Sequence, residues 1–392
     1  MFVHQLSDRV KMLPSVDWSR RLFDSLIPLP DGTSYNAYLI RGSEKTALLD
    51  TTDPTRTQEL LAALAAESVN YVISNHSEQD HSGSLPAILQ RFPQAQLVCT
   101  PKAKPFLIDL LHLPEDKFVT VADGQTLSLG DRTLEFVHTP WVHWPETMST
   151  YLREERILFS CDFFGSHLAT SQPYVTEETA AYEPAKRYYG EIMAPFAKLI
   201  AKNLERLEKY DIAIIAPSHG PAYKRPAFIL DAYREWVYGE PKNLVLIPFV
   251  SMHDSTRLMA EHLTAALATR GVQVQLFDLS VTDLGKLAMA LVDAATLALG
   301  SCTVLAGPHP LAAYAAVLVN ALRPKLKFAT VFGSFLWGGK TVETLSGLLT
   351  NIKPEIIEPV YIKGLPRPED YAALDRLADA IVQKHRAAGL IR

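Results

Sequence analysis

Residues 75–83 read NHSEQDHSG and follow a short apolar run, YVIS, so imidazoles and carboxylates crowd in just where a strand should end. His76, Glu78, Asp80 and His81 lie within six residues, and a sharp loop turns such side chains toward one point. Further candidates stand at comparable places: His143 after TLEFVH, Asp162 after RILFS and His219 after IAIIAPS. In α/β proteins ligands gather beyond the carboxyl ends of strands. A single His or Asp there is ordinarily a solvated loop group or a helix cap. Seven of them from four strand ends call for another account. Three acidic groups and four imidazoles brought together without a cation would repel one another or need costly pKa adjustment, whereas two divalent ions neutralise the carboxylates and use the neutral imidazoles. The expected chemistry is that of a two-metal centre.

The elements that would position these groups read as a mixed α/β pattern through residue 220, with short apolar runs TALLD, YVIS, QLVCT, TLEFVH, RILFS and IAIIAPS between helical or loop segments. Residues 221–243 are rich in proline, tyrosine and charge, and a new rhythm follows: strand and helix alternate five times from NLVLIPFVS to EIIEPVYIKG. That alternation predicts a doubly wound parallel sheet. The expected domains are 1–242 and 243–392.

In the second half, VSMHDSTRL closes a strand and opens a helix. Ser251, Met252, His253, Asp254, Ser255 and Thr256 lie where helix N–H groups, the positive dipole end and hydroxyls bind a phosphate without lysine or arginine. Two later segments, GSCTVLAGPHP (300–310) with Ser301, Thr303 and Gly307, and FGSFLWGGK (332–340) with Gly333, Ser334, Trp337 and Gly338, are read as loops after parallel strands. Their glycines allow backbone to approach a planar ring.

Bulk composition narrows the partners. The chain has 392 residues, nearly half hydrophobic, enough for two full cores, and a net charge of -5 gives no basic field for nucleic acid or an anionic membrane. The N-terminal stretch lacks the apolar core of a signal peptide, and the longest apolar runs are too short to span a bilayer. A cytoplasmic location is expected. Cys99, Cys161 and Cys302 are far apart and odd in number, which excludes a CxxC site and reads as three buried apolar residues.

Together, HSEQDHSG, TPWVHWPETM, FSCDFFG and APSHG resemble the metallo-β-lactamase-like domain of the flavodiiron proteins, and the resemblance runs over essentially the entire chain. It implies an N-terminal metallo-β-lactamase-like αβ/βα sandwich followed by a flavodoxin-like sheet. It differs from zinc hydrolases of the same fold, which carry HxHxDH and a TPGH segment: here Glu78 replaces the second histidine, and Trp141 and Val142 precede His143. The resemblance assigns His76, Glu78 and His143 to one metal, Asp80, His81 and His219 to the other, and Asp162 as the bridge. Each ion then has close to the 2-His-1-carboxylate set of non-haem iron. His81 directly follows Asp80, and adjacent side chains need an unusual backbone to reach one ion. The second-half segments resemble the phosphate and ring-binding loops of flavodoxins, so FMN and two irons are the implied cofactors, with Trp337 stacking on or covering the ring. His253, Asp254 and Lys340 depart from the usual flavodoxin pattern.

The expected activity is passage of electrons from FMN to a diiron centre that reduces O₂ to water, NO to nitrous oxide, or both. The donor is expected to be separate: a rubredoxin-like protein, a reductase, or a reduced deazaflavin or nicotinamide carrier. The family's head-to-tail homodimer, or a dimer of such dimers, is implied by the resemblance alone. Two rivals stand beside this reading. One is a binuclear zinc hydrolase with an accessory flavodoxin-like domain; the other is an FMN electron carrier or sensor without a working metal pair.

Overall fold

The computed structural model describes residues 2–391. They form two compact units, one comprising the chain up to Tyr189 with Phe196–Val237, the other Gly190–Pro195 and the chain from Tyr238 onward. The division thus falls a few residues before the expected 242/243. The proline- and tyrosine-rich stretch is largely a helix, Pro226–Tyr238, which buries Ile229, Ala232, Tyr233 and Trp236 in the first unit.

In the first unit, strands β1 (Val10–Asp17), β2 (Thr33–Arg41), β3 (Thr46–Leu49), β4 (Tyr71–Ile73) and β5 (Gln96–Cys99) pair in that order; the turns of chain at β1–β2 and β2–β3 are antiparallel and the later pairs parallel. A second sheet holds β6 (Thr133–His138), β7 (Met148–Leu152), β8 (Ile157–Cys161) and β9 (Ile214–Pro217). Side chains alternate across a strand, and β2 uses both faces. Ala37 and Leu39 pack with Leu48, Val72 and Leu97 beneath the helices, while Tyr38 and Ile40 meet Phe136, Met148 and Phe159 of the second sheet. This is the expected αβ/βα sandwich. Strands β1, β2 and β7 carry no simple apolar run: VKMLPSVD holds a lysine and a proline, and TSYNAYLIR and MSTYL bury polar residues at strand positions.

In the second unit, β10 (Lys242–Val250), β11 (Gln273–Asp278), β12 (Ala294–Val304), β13 (Phe328–Phe335) and β14 (Val360–Lys363) form a parallel sheet in which β10 lies between β11 and β12, and β13 lies between β12 and β14. The order 2-1-3-4-5 is the flavodoxin-like one, whose switch point between its first and third strands is a ligand crevice. Helices cover both faces over separate apolar cores. Contrary to the loops expected there, residues 300–304 and 332–335 are the ends of β12 and β13, and Gly307–Pro308 pairs back onto β12.

The C-terminal helix, Pro368–Ala387, is tied beneath this sheet by His385, which is fully buried between Thr296 Oγ1 at 2.7 Å and Asn243 Oδ1 at 2.8 Å. Burial pushes its imidazole down to about 4 from 6.5. The unfolded chain therefore takes up this proton at higher pH than the folded one. The contribution to stability is complete above about pH 6.5 and is lost as pH falls toward 4. His385→Gln, which keeps polar contacts but cannot titrate there, is expected to remove about 3 kcal/mol of this acid-dependent loss. Urea melts of both proteins between pH 7 and 4 check it; parallel pH profiles would contradict it.

Candidate metal centre and flavin cavity

His76 leaves the end of β4, and Glu78 stands at the N-cap of a one-turn helix, α1 (Gln79–Ser82), that carries Asp80 and His81. His143 lies in the β6–β7 connection, Asp162 directly follows β8, and His219 follows β9. The structure brings all seven together. His76 Nε2 and His143 Nε2 lie 3.1 and 3.0 Å from Glu78 Oε2, and 3.4 and 3.5 Å from Asp162 Oδ2. On the other side, His81 Nε2 and His219 Nε2 lie 3.2 and 3.1 Å from Asp80 Oδ2, and 2.9 and 3.3 Å from Asp162 Oδ1. Asp162 thus offers one oxygen to each set. The α1 turn answers the objection to His81, because it splays Asp80 and His81 so that both reach the same point.

The donor set fits a metal pair. Both oxygens of Asp80, both nitrogens of His81 and Asp162 Oδ2 are buried and have no hydrogen-bond partner of acceptable geometry. Buried polar atoms left in that condition cost about 1–3 kcal/mol each unless something else satisfies them, and here Asp80 Oδ2, His81 Nε2 and Asp162 Oδ2 lie within 3.5 Å of other donors of the set. Charge is balanced inward: burial disfavours the ionised Glu78, yet its bonds to His143 and His76 hold it below the usual carboxylate range. His219 is disfavoured as a cation by burial, but Asp162 and Asp80 push it up to about 10. Cys161 also lies near His81 and Asp162, but burial pushes its thiol well up, away from the thiolate a ligand needs. All three cysteines are free and buried.

The supporting contacts come largely from residues without a sequence signal. Asn36 Nδ2 donates to Pro217 O and Gly220 O at 2.9 and 2.8 Å, and Tyr38 donates to Pro217 O, fixing the loop that presents His219. Glu146 lies 2.7 Å from His76 Nδ1. Asp50 accepts from Asn75 N and Nδ2 and orders the start of the HSEQDH loop. Tyr188 donates to Asp162 Oδ1 at 3.0 Å, and Tyr35 lies edge-on to His219 with its hydroxyl unpartnered. Tyr189 turns away toward Trp236. His167 lies against His219 and Tyr188, with Nδ1 2.9 Å from Thr33 Oγ1 and Nε2 unpartnered; burial holds its ring neutral. His138 stays in β6, against Val121 O, and His4 lies in a short N-terminal strand, so neither joins the centre. Trp144 packs edge-on to His76, and Trp141 stacks on Phe196. A small hairpin, Leu22–Phe23 with Ile27–Pro28, carries Asp24 at its tip, where partial burial and the Glu78 and Asp80 charges push the carboxyl up to about 6.

In the second unit a cavity of about 560 Å³ opens at the switch point, of the size that holds a cofactor. Met252, His253, Ser255, Thr303, Ser334 and Trp337 line it, as do Cys302, Val304, Leu305, Phe335, Leu336, Gly364 and Leu365. Ser251 Oγ and Thr256 Oγ1 are buried without a partner at the start of a helix, α2 (Ser255–Thr269), which fits a phosphate whose oxygens they would meet. The remaining expected residues do not line the cavity. Asp254 turns outward to Arg257, Ser301 Oγ is used by Cys302 O and His309 N, Gly307 lies in the turn back onto β12, Gly333 is inside β13, and Gly338 is in the exposed loop beyond it.

A metallo-β-lactamase-like domain with seven imidazole and carboxylate donors gathered at its strand ends, in one chain with a flavodoxin-like domain, defines the class. Residues 33–220 match the model of the ODP family beta lactamase. The chain is 36% identical to the nitric oxide reductase of Moorella thermoacetica, over 93% of this chain and 94% of that one, and 34% identical to the coenzyme F420H(2) oxidase of Methanothermobacter marburgensis, over 88% and 89%. Its structure superposes on the rubredoxin oxygen:oxidoreductase of Desulfovibrio gigas with a TM-score of 0.95 at 29% identity, covering 98% of this chain and 99% of that one. The chain belongs to the flavodiiron protein family. Among the described residues no helix is long and apolar enough to cross a membrane.

Proposed function

We propose that this protein is a flavodiiron oxidoreductase in which FMN passes electrons to a non-haem diiron centre that reduces O₂ to water, NO to nitrous oxide, or both. The observation that carries the reading is Asp162, one oxygen turned to His76, Glu78 and His143 and the other to Asp80, His81 and His219. His76, Glu78 and His143 would hold one iron, Asp80, His81 and His219 the second, and Asp162 would bridge them. Bound iron and FMN supply the one-electron chemistry, and the protein supplies binding and orientation. The chain's own contribution follows from its contacts. Tyr188 holds the bridging carboxylate in place, Ser34 O and Glu146 fix the tautomers of His219 and His76, and Phe23, packed 5.1 Å from the His167 ring, keeps that side of the centre dry. In the cavity, Ser251 and Thr256 would meet the FMN phosphate, and Trp337 would cover the ring.

The relatives are named as oxidoreductases, so the zinc hydrolase reading loses its support. They are also named for two different donors, coenzyme F420H(2) and rubredoxin, which supports a separate donor without choosing between a protein and a small carrier. The visible spectrum and metal content of pure protein test the cofactors: flavin with two irons is expected. Anaerobic stopped-flow of the reduced protein against O₂ and against NO then tests the activity. Oxidation by neither gas would reject it.

A homodimer is part of this reading. The rim of the flavin cavity is apolar and exposed at Leu305 (88%), Leu336 (69%) and Trp337 (66%), and the hairpin beside the metal centre exposes Leu22 and Leu26. Clustered exposed apolar residues mark interaction surfaces. Pairing the two kinds of patch head to tail would bring the flavin of one chain beside the metals of another. Light scattering is expected to give twice the chain mass or a multiple of it, and Leu305→Glu with Leu336→Glu to give monomer. Monomeric wild type would contradict the arrangement.

A further inference from the structure

The imidazoles that reach the two metal positions are backed in unequal ways. His219 Nδ1 donates to a neutral acceptor, Ser34 O, at 2.7 Å, and His81 Nδ1 is buried with no partner. His76 Nδ1 instead lies 2.7 Å from Glu146 Oε1, on a carboxylate whose side chain is fully buried. Glu146 Oε1 also accepts from Ser77 N at 3.0 Å, and Oε2 has no partner. Its full negative charge is therefore directed at one imidazole. Asp50 acts on His81 more strongly than on His76, but its hydrogen bonds go to Asn75 and Ser218 and not to either ring.

We propose that Glu146 is a positioning residue that sets the metal affinity of the His76–Glu78–His143 position and makes it inequivalent to the Asp80–His81–His219 position; the inference rests on the dimetal reading above. An imidazole N–H given to a carboxylate has its tautomer and ring plane fixed and its other nitrogen made a stronger donor. The position so backed is also the more open one. His143 and Glu78 side chains are 18% and 15% exposed, against 2% or less for His219 and His81. Water competes there for the ion, and the anion behind His76 offsets that competition. The deeper position is shielded by burial, and neither of its imidazoles gives its Nδ1–H to a carboxylate.

Glu146→Gln keeps the shape and an acceptor for His76 Nδ1–H but removes the charge; Glu146→Ala removes both. Anaerobic Fe(II) titration of the flavin-loaded protein against a competing chelator is expected to show one of two ions bound ~10–100-fold more weakly in Glu146→Gln, with the other unchanged. In Glu146→Ala the same ion is lost. Mössbauer spectra of ⁵⁷Fe-loaded, reduced protein identify the site: one ferrous doublet shifts and its partner stays. Equal weakening of both ions would reveal a merely structural residue and overturn the proposal, as would two unaltered ions. Flavin absorbance checks that each variant is folded. A wild type that binds no pair of ions would instead overturn the dimetal reading itself, so the two failures are distinguishable.

Discussion

Replacing Asp162 with alanine is expected to strip both metal ions from the protein while FMN stays bound, and to lower turnover with O₂ or NO at least ~10³-fold. Asp162 alone presents an oxygen to each triad, with His81 and His219 at 2.9 and 3.3 Å from Oδ1, and His76 and His143 at 3.4 and 3.5 Å from Oδ2. Its removal costs each ion an anionic donor and leaves Tyr188 with no acceptor at that point. Removing one partner of a buried charged set costs roughly 3–5 kcal/mol, which is about 10² to several times 10³ in affinity for each ion. The two losses are coupled because a single group serves both positions. Asp162→Asn makes the distinction finer. Its amide can turn an oxygen to one triad only, and the NH₂ then faces the other, so at most one ion per chain is expected to remain. Metal analysis, the flavin spectrum and stopped-flow traces check all three statements. Two ions per chain in Asp162→Ala, with turnover within ~10-fold of wild type, would remove the bridge from the assignment.

The candidate metal centre was legible because its donors stand at the carboxyl ends of strands, where chance scatter of seven such groups is improbable and a pair of cations would balance them. The parts that hold those donors were not. Asn36 and Ser34 sit in a strand whose every residue but Arg41 is buried, and polar residues there obscure the apolar alternation that marks a strand. Their purpose appears only when β9 and its loop are brought alongside, because hydrogen-bond partners some 180 residues apart leave no local trace. Glu146 follows His143 by three residues and reads as a solvated loop acid until β7 and β4 place it beneath His76. Tyr188 ends a helix as one of two adjacent tyrosines, and only packing tells which one faces Asp162. In the second unit the strand–helix alternation fixed the class of sheet. The lengths of β12 and β13 were misjudged because Gly300, Gly307 and Gly333 look alike as punctuation, although a glycine can mark either a turn or a strand crowded by its neighbour.

Gly333→Ala is accordingly expected to cost about 4 kcal/mol or more in the second unit, and to lose the flavin while the metal pair remains. Gly333 lies inside β13 with φ +152°, a backbone that L side chains rarely adopt. A Cβ there would stand 1.8 Å from Ser301 O and 2.8 Å from Ser301 C. Those atoms belong to the backbone of β12, and Ser301 is the direct register partner of Gly333. No rotamer change relieves such an overlap, so the two strands must part. They part where they deliver Cys302–Leu305 and Ser334–Trp337 to the cavity, which ties the stability loss to the loss of FMN. A melting temperature lower by ~10 °C follows for a unit of this size. Gly307→Ala is the control, since its Cβ would meet nothing within 4 Å and the residue carries no positive φ. It is expected to leave melting and flavin content unchanged. Calorimetry with flavin and iron counts on the same samples decides the matter, and a Gly333→Ala protein that melts with the wild type and keeps its flavin would show that β12 and β13 yield where this packing says they cannot.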